Sequence, residues 1–224
     1  MTRRDDSREK ALKDLQQYEV LMLNGHFDFG NGFHGPVYLN PHQLFRYPST
    51  IWRFAQDLLD VLPASILDET EVVTGPVTGG ALLGHTIAGL LDSRRDMTRA
   101  ATLFAPITLG ALPGGLKASG DPEQEVWGDR GGHTLTRFYQ RLVARRKALV
   151  VDDVRNTGQT LAHCVELVRK AGGTVIATAE IYDRMETMVD AGVPNYALAE
   201  YKAPDNVPAE RCPMCRAGVP ITTF

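Results

Sequence analysis

Ala148-Leu149-Val150-Val151-Asp152-Asp153-Val154-Arg155-Asn156-Thr157-Gly158-Gln159-Thr160 is the stretch whose reading decides the fold. Its four leading apolar residues, two of them valine, predict a strand covered on both faces, as in a parallel sheet. The strand is expected to end in two adjacent carboxylates, then to pass through a small-residue loop into a helix near Gln159. Thr157, Gly158 and Thr160 offer hydroxyls and unobstructed backbone N–H groups where that helix begins. A helix N-terminus carries partial positive charge, which suits a phosphate. Asp152 and Asp153 can accept hydrogen bonds from ribose hydroxyls or hold Mg²⁺ through its waters. A plainer reading has the acid pair capping the helix and Thr-Gly making a turn.

Around this stretch, 224 residues suffice for one sizeable α/β domain with an added lobe. The 43% hydrophobic and 23% charged content are those of a soluble globular protein. A net charge of −3 gives no reason to expect nucleic-acid or anionic-membrane binding, so small molecules are the expected partners. Met1 to Lys13 is dense in both charge signs and lacks an apolar core segment, so no signal peptide is expected there. No apolar run approaches membrane-spanning length. Three cysteines, only two of them close together, argue against a disulfide framework and fit a reducing cytoplasm.

Residues 5–24 read as a charged amphipathic helix that includes Leu12, Leu15 and Leu23, ends near Asn24-Gly25, and packs on the outside or on a partner. Gly30-Asn31-Gly32-Phe33-His34-Gly35 matches the dinucleotide pattern G-x-G-x-x-G, which needs a preceding strand and a following helix. Pro36-Val37-Tyr38-Leu39-Asn40-Pro41 is not a helix, so a β-turn feeding an extended segment explains these glycines better. From Ser49 to Leu62, Ile51, Phe54, Ala55, Leu58, Leu59 and Leu62 fall at helical spacing behind Pro48, predicting a core-facing helix. Val72-Val73 predicts a short strand, followed by a loop at 75–80 and a helix from about Ala81 to Leu91.

Ala100 to Ala105 reads as the next strand. Residues 110–132, rich in Gly, Pro and charge, predict either an active-site lid or disorder. Leu135 to Val143 is expected to return as an antiparallel arm. The helix from about Gln159 carries Leu161, Cys164, Val165 and Val168 on one stripe and stops at Gly172-Gly173, before a strand from Thr174 to Tyr182. Strands alternating with helices imply an α/β, doubly wound parallel sheet, whose ligands bind at the carboxyl ends of the strands. The glycine-bearing loops at 75–80 and 154–160 should then face a common cleft.

The quoted stretch resembles the phosphoribosyl-pyrophosphate (PRPP) signature of type I phosphoribosyltransferases, and the likeness is strongest to the orotate phosphoribosyltransferase branch. Four further segments carry it. Phe27 to Asn40 is similar to that branch's hood hairpin, which covers the base, and Gly75-Pro76-Val77-Thr78-Gly79-Gly80 to its pyrophosphate loop. Ile181-Tyr182-Asp183-Arg184 is similar to a strand end whose arginine contacts orotate, and Cys212 to Pro220 to a segment near the end of some members.

The resemblance implies one domain over residues 1–224, with a core sheet over about 48–183 and a small hood built from about 20–45 and the C-terminal segment 184–224. It implies transfer of 5-phosphoribosyl from PRPP to a base, orotate giving orotidine 5′-monophosphate, in pyrimidine biosynthesis. Asp152 and Asp153 are then the catalytic pair, with Mg²⁺ bound alongside PRPP. Val154, Arg155, Asn156, Thr157, Gly158, Gln159 and Thr160 bind PRPP. Pro76, Val77, Thr78, Gly79 and Gly80 bind pyrophosphate, and Arg184, His34 and Tyr38 meet the base. The family habit also implies a homodimer, and the cysteine usage a cytoplasmic one.

The departures concern positive charge, which a leaving pyrophosphate requires. The family's lysines in the pyrophosphate loop and hood hairpin fall at Gly79 and Gly30, and its mobile-loop cations fall where Phe104 leads into Ala105-Pro106-Ile107-Thr108-Leu109-Gly110. Lys117, Arg130, His133 and Arg137 lie in or beside the long loop, either as substitutes or as solvated charges. Two other readings therefore stand beside the first: the same chemistry on another base, and a PRPP- or nucleotide-binding regulatory protein impaired in turnover. Cys212-x-x-Cys215 has metal-ligand spacing, but one pair is half a tetrahedral zinc site and the rest would come from a symmetry mate. Thiols in a turn are the expectation, and no metal ligand is assigned.

Overall fold

Pairing between residues distant in sequence turns the apolar runs into a single sheet in the computed structural model, which describes residues 3–30, 32–96, 98–109, 132–186 and 189–223. The N-terminal part comprises α1 (Arg3–Gln17), β1 (Leu21–Met22), β2 (Phe27–Asp28), β3 (Phe33–Gly35), β4 (Tyr38–Leu39) and a 3₁₀ turn at Pro41–Phe45. The middle comprises α2 (Pro48–Val61), α3 (Ala64–Glu69), β5 (Val72–Pro76), α4 (Gly79–Arg94), β6 (Leu103–Leu109), β7 (His133–Thr134) and α5 (Arg137–Val143). Then follow β8 (Lys147–Arg155), α6 (Gln159–Lys170), β9 (Thr174–Asp183), β10 (Asn195–Glu200), β11 (Val207–Pro208), a 3₁₀ turn at Ala209–Arg211 and α7 (Pro213–Arg216).

The central sheet has the order β10-β9-β8-β5-β6-β7, parallel except for β7. Side chains along a strand alternate between its faces. Leu149 and Val151 accordingly join a core with Phe54, Leu58, Leu83 and Ile87 of α2 and α4, while Ala148 and Val150 join another with Leu161, Val165 and Val168 of α6. The apolar run is thus covered on both faces, and the expected doubly wound α/β sheet is formed. The chain leaves β5 toward β6 on one side and leaves β8 toward β9 on the other. The carboxyl ends of β5 and β8 flank the topological switch point, where such sheets bind ligands.

Several boundaries differ from the sequence expectation. α1 stops at Gln17, well short of Asn24, because Glu19 adopts a left-handed φ of 57°. There the Glu19 and Val20 N–H groups donate to the Gln16 and Leu15 carbonyls, a Schellman ending sealed by buried Leu15 and Val20. α1 packs on α2 and β10 of its own chain. β8 does not end at the acid pair but continues to Arg155, because β9 pairs with it as far as Asp183. β6 runs to Leu109 through Pro106; its outer neighbour β7 pairs only Thr108 and Leu109, so the missing proline N–H breaks no ladder there. Residues 137–143 form α5 rather than an antiparallel arm, because Leu135, Tyr139 and Val143, spaced by four, pack on the α6 side of the sheet. The expected lid or disordered loop, residues 110–132, lies outside the described residues except for Gly132.

Beside the sheet, β2 and β3 form the hairpin read from the glycines, with Phe29 N–H donating to the Phe33 carbonyl at 3.1 Å and Gly30 and Gly32 at positive φ. β11 adds antiparallel to β3, and Thr222 bridges Phe27, so the C-terminal tail is woven into this hood. Among the described residues no helix is long and apolar enough to cross a membrane.

Candidate active site

The two glycine-bearing loops leave the adjacent ends of β5 and β8 and are pressed together by backbone approach. A Cβ added at Gly80 would lie 2.7 Å from the Val151 carbonyl and 3.0 Å from Asp152 Oδ1. One added at Gly79 would strike the Asp153 carboxylate and come within 2.8 Å of the Phe45 ring. The glycines are therefore required by contact with the acid pair, and a lysine at Gly79 would need Asp153 to move. Pro76, Gly79 and Gly80 are buried, Val77 is half-buried and Thr78 is exposed; the Val77–Thr78 peptide is cis. α4 starts at Gly79, so its first N–H groups, which lack intrahelical partners, open beside Asp152 and Asp153.

Asp152 is buried and Asp153 half-buried. Asp152 Oδ1 accepts from the Asp153 N–H at 2.9 Å, and Asp153 Oδ1 accepts from the Val154 N–H at 2.9 Å. Burial, then the neighbouring Asp153 charge, pushes the Asp152 carboxyl well above the usual carboxylate range. After them the chain turns at Gly158, whose φ of 80° only glycine adopts freely, into α6. Thr157 Oγ1 lies 3.5 Å from the Gln159 N–H, and Asn156, Gln159 and Thr160 are exposed around the first turn. Two helix N-termini and two carboxylates thus share one end of the sheet.

The structure does not bring every expected residue to this surface. Val154 is half-buried against the α2–α4 core. Arg155 is buried, its Nη1 3.6 Å from Asp183 Oδ2 and 3.9 Å from Glu180 Oε1. Its guanidinium is committed inward because β9 lays Asp183 alongside it. Arg184 lies at the surface, with Nη2 3.2 Å from Glu186 Oε1 and Nη1 donating to Asn156 Oδ1 at 3.4 Å. It lines a cavity of about 390 Å³ with Thr157, Glu186, Lys202 and Asn206. Among the described residues of that lining, neither His34 nor Tyr38 appears. Tyr38 stacks on Phe29 at 5.9 Å, and His34 is buried with Nδ1 3.2 Å from His26 Nε2. Lys117 and Arg130 lie outside the described residues; Arg137 is exposed on α5, and the His133 ring is 6.1 Å from that of His163.

Sequence reasoning missed Glu180 and Lys202. Glu180 is an acid inside an apolar strand, a signal present in the Thr174–Tyr182 run; it accepts from Asn195 Nδ2 at 2.7 Å. Burial raises its carboxyl from 4.5 to about 8. Lys202 sits in no motif, and only the path of the chain after β10 brings it beside Arg184.

Comparison with known proteins gives a consistent likeness. A family model described as phosphoribosyl transferase domain matches residues 54–196. The chain is 31% identical to the orotate phosphoribosyltransferase of Maricaulis maris, over 92% of this chain and 91% of that protein. It is 29% identical to that of Caldanaerobacter subterraneus subsp. tengcongensis, over 96% and 95%. Its fold is similar to the crystal structure of orotate phosphoribosyltransferase from Aeropyrum pernix, at TM-score 0.57 and 22% identity over 85% of this chain and 93% of that one. It is equally similar to adenine phosphoribosyltransferase from Thermoanaerobacter pseudethanolicus, at TM-score 0.58 and 18% identity over 85% and 99%.

Proposed function

The chain belongs to the phosphoribosyl transferase domain family, and from that premise we propose that it transfers 5-phosphoribosyl from PRPP to orotate, yielding orotidine 5′-monophosphate and pyrophosphate in pyrimidine biosynthesis. The observation that carries this reading is the packing of Gly79 and Gly80 against Asp152 and Asp153, which sets the two loops side by side as the walls of the proposed cleft. In that cleft the 5′-phosphate rests at the α6 N-terminus with the Thr157 and Thr160 hydroxyls. Pyrophosphate lies along 76–80 at the α4 N-terminus, where peptide dipoles favour negative charge. Asp153 accepts the ribose hydroxyls. Arg184, leaving Glu186, clamps the base carboxylate in two-pronged fashion.

Mg²⁺ fits the acid pair: both are hard oxygen donors, and the buried Asp152 carboxyl, crowded by Asp153, gains most from a cation. Bound there with PRPP, it supplies charge neutralisation for the departing pyrophosphate. A homodimer in the cytoplasm belongs to the same proposal; exposed Tyr47, Trp52 and Leu82 at α2 and α4 support it, and light scattering after gel filtration measures it.

Loss of the family lysine at Gly79 favours a second reading, a PRPP-binding protein without turnover. Orotate absorbance, followed with PRPP, Mg²⁺ and purified protein, separates them. Consumption of orotate, abolished in the Asp152→Asn, Asp153→Asn double variant, is expected. Turnover of adenine but not orotate would move the proposal to another base. Calorimetric PRPP binding with no base consumed would replace it with the regulatory reading.

A further inference from the structure

His26, His34, Cys212 and Cys215 come from the two ends of the chain, yet one donor atom of each lies within 4.8 Å of every other. His26 precedes β2, His34 stands on β3, and the cysteines flank the start of α7. The second half of the metal-binding set, sought from Cys212-x-x-Cys215 in a symmetry mate, is in the same chain. We propose that these four residues bind one zinc ion, which ties the C-terminal tail to the hood hairpin.

The distances are those of a tetrahedron. With Zn–N of about 2.0–2.1 Å and Zn–S of about 2.3 Å, ideal edges are about 3.3 Å for N···N and about 3.6 Å for N···S. His26 Nε2 is 3.2 Å from His34 Nδ1, 3.4 Å from Cys212 Sγ and 3.6 Å from Cys215 Sγ, and His34 Nδ1 is 3.3 Å from Cys215 Sγ. Hydrogen bonding alone does not account for this. His26 Nδ1 lies 2.9 Å from the Val219 carbonyl, which only accepts, so Nδ1 carries the proton and Nε2 keeps one lone pair facing three neighbours. A central cation uses one lone pair from each donor.

The surroundings match a structural site. The Val219 carbonyl orients His26, and Asp28 Oδ1 stands 3.9 Å from His34 Nε2, the positions of outer partners that fix ligand tautomers. Two thiolates with two imidazoles are a donor set that selects zinc over the hard cations. All four positions are filled by protein, which leaves none open for catalysis. His26, His34 and Cys212 are buried, and exposed Cys215 provides access. The hood strands are two or three residues long, below what a sheet needs to stand alone. An ion joining His26 to Cys212 closes a span of 186 residues, and its binding energy becomes folding energy for the hood.

Metal analysis of the full-length protein, refolded or exchanged with excess zinc, is expected to find one zinc per chain. Replacement by Co²⁺ is expected to give the intense visible bands and thiolate charge-transfer absorption of a tetrahedral site. Cys215→Ser is expected to weaken zinc affinity by more than the roughly 10–100-fold that loss of an outer partner costs. Cys164→Ser, which removes the distant buried thiol, should leave it unchanged. Absence of stoichiometric zinc in the wild type, an octahedral cobalt spectrum, or undiminished binding in Cys215→Ser would each overturn the proposal. The cobalt spectrum of the wild type decides the matter even if a variant fails to fold.

Discussion

Asp152 serves two opposed ends: it is buried, which disfavours its charge, and the proposed chemistry needs that charge. Its carboxyl lies well above the ordinary value of 3.8, so the folded protein resists ionising it, a cost absent in acid and present as pH rises. Asp152→Asn is therefore expected to be at least as stable as wild type at neutral pH while losing activity. A hydrogen bond to a charged group contributes about 1.5–3 kcal/mol, so kcat/KM should fall roughly 10- to 150-fold; paired melting and kinetic measurements test both halves. Glu180 shows the same conflict without the function. Arg155 at 3.9 Å is too distant, and too much shared with Asp183, to outweigh burial, and the carboxyl rises to about 8. Between 4.5 and about 8 the folded state holds a proton that the unfolded chain has released, so stability falls as pH rises through that window. The difference in Tm between about pH 5 and about pH 9 should shrink in Glu180→Gln; an unchanged difference would assign the slope to other groups. The acid pair was legible because adjacency and residue type are local properties. The inward turn of Arg155 was not, since its partners stand on another strand.

At the scale of elements, periodicity located α2 and α6, whose apolar positions repeat with the helical turn and whose ends carry Pro48 and Gly172-Gly173. The end of α1 was hidden because the left-handed residue that closes it is Glu19 rather than glycine. A side chain in that conformation costs about 1–2 kcal/mol, so Glu19→Gly is expected to stabilise the protein by about 1 kcal/mol in denaturant unfolding. No gain, or a loss, would mean that the Glu19 side chain contributes more than its backbone costs. α5 was mistaken for a strand because seven residues span barely two turns, too few to separate the periods. β10, which completes the sheet edge, was passed over because its residues, Asn195 to Glu200, mix polar and small apolar types.

For the whole molecule, the decisive arrangement is a switch point with a hood laced to it by the tail. Deleting residues 207–224 removes β11, α7, both hood-facing cysteines and the Thr222 bridge. Hydrogen exchange by mass spectrometry is then expected to show lost protection at 27–35 and retained protection in β8 and β9. Unchanged exchange in the hairpin would show that it stands without the tail. The sequence by itself determined the doubly wound sheet, the acid pair and the two glycine-bearing loops, because each depends on contacts within one strand–loop–helix unit. Only the tertiary structure decided which charges turn inward, that Lys202 joins Arg184, and that two histidines meet two cysteines across 186 residues. Those are juxtapositions of distant segments, created by strand register and packing rather than by any local pattern.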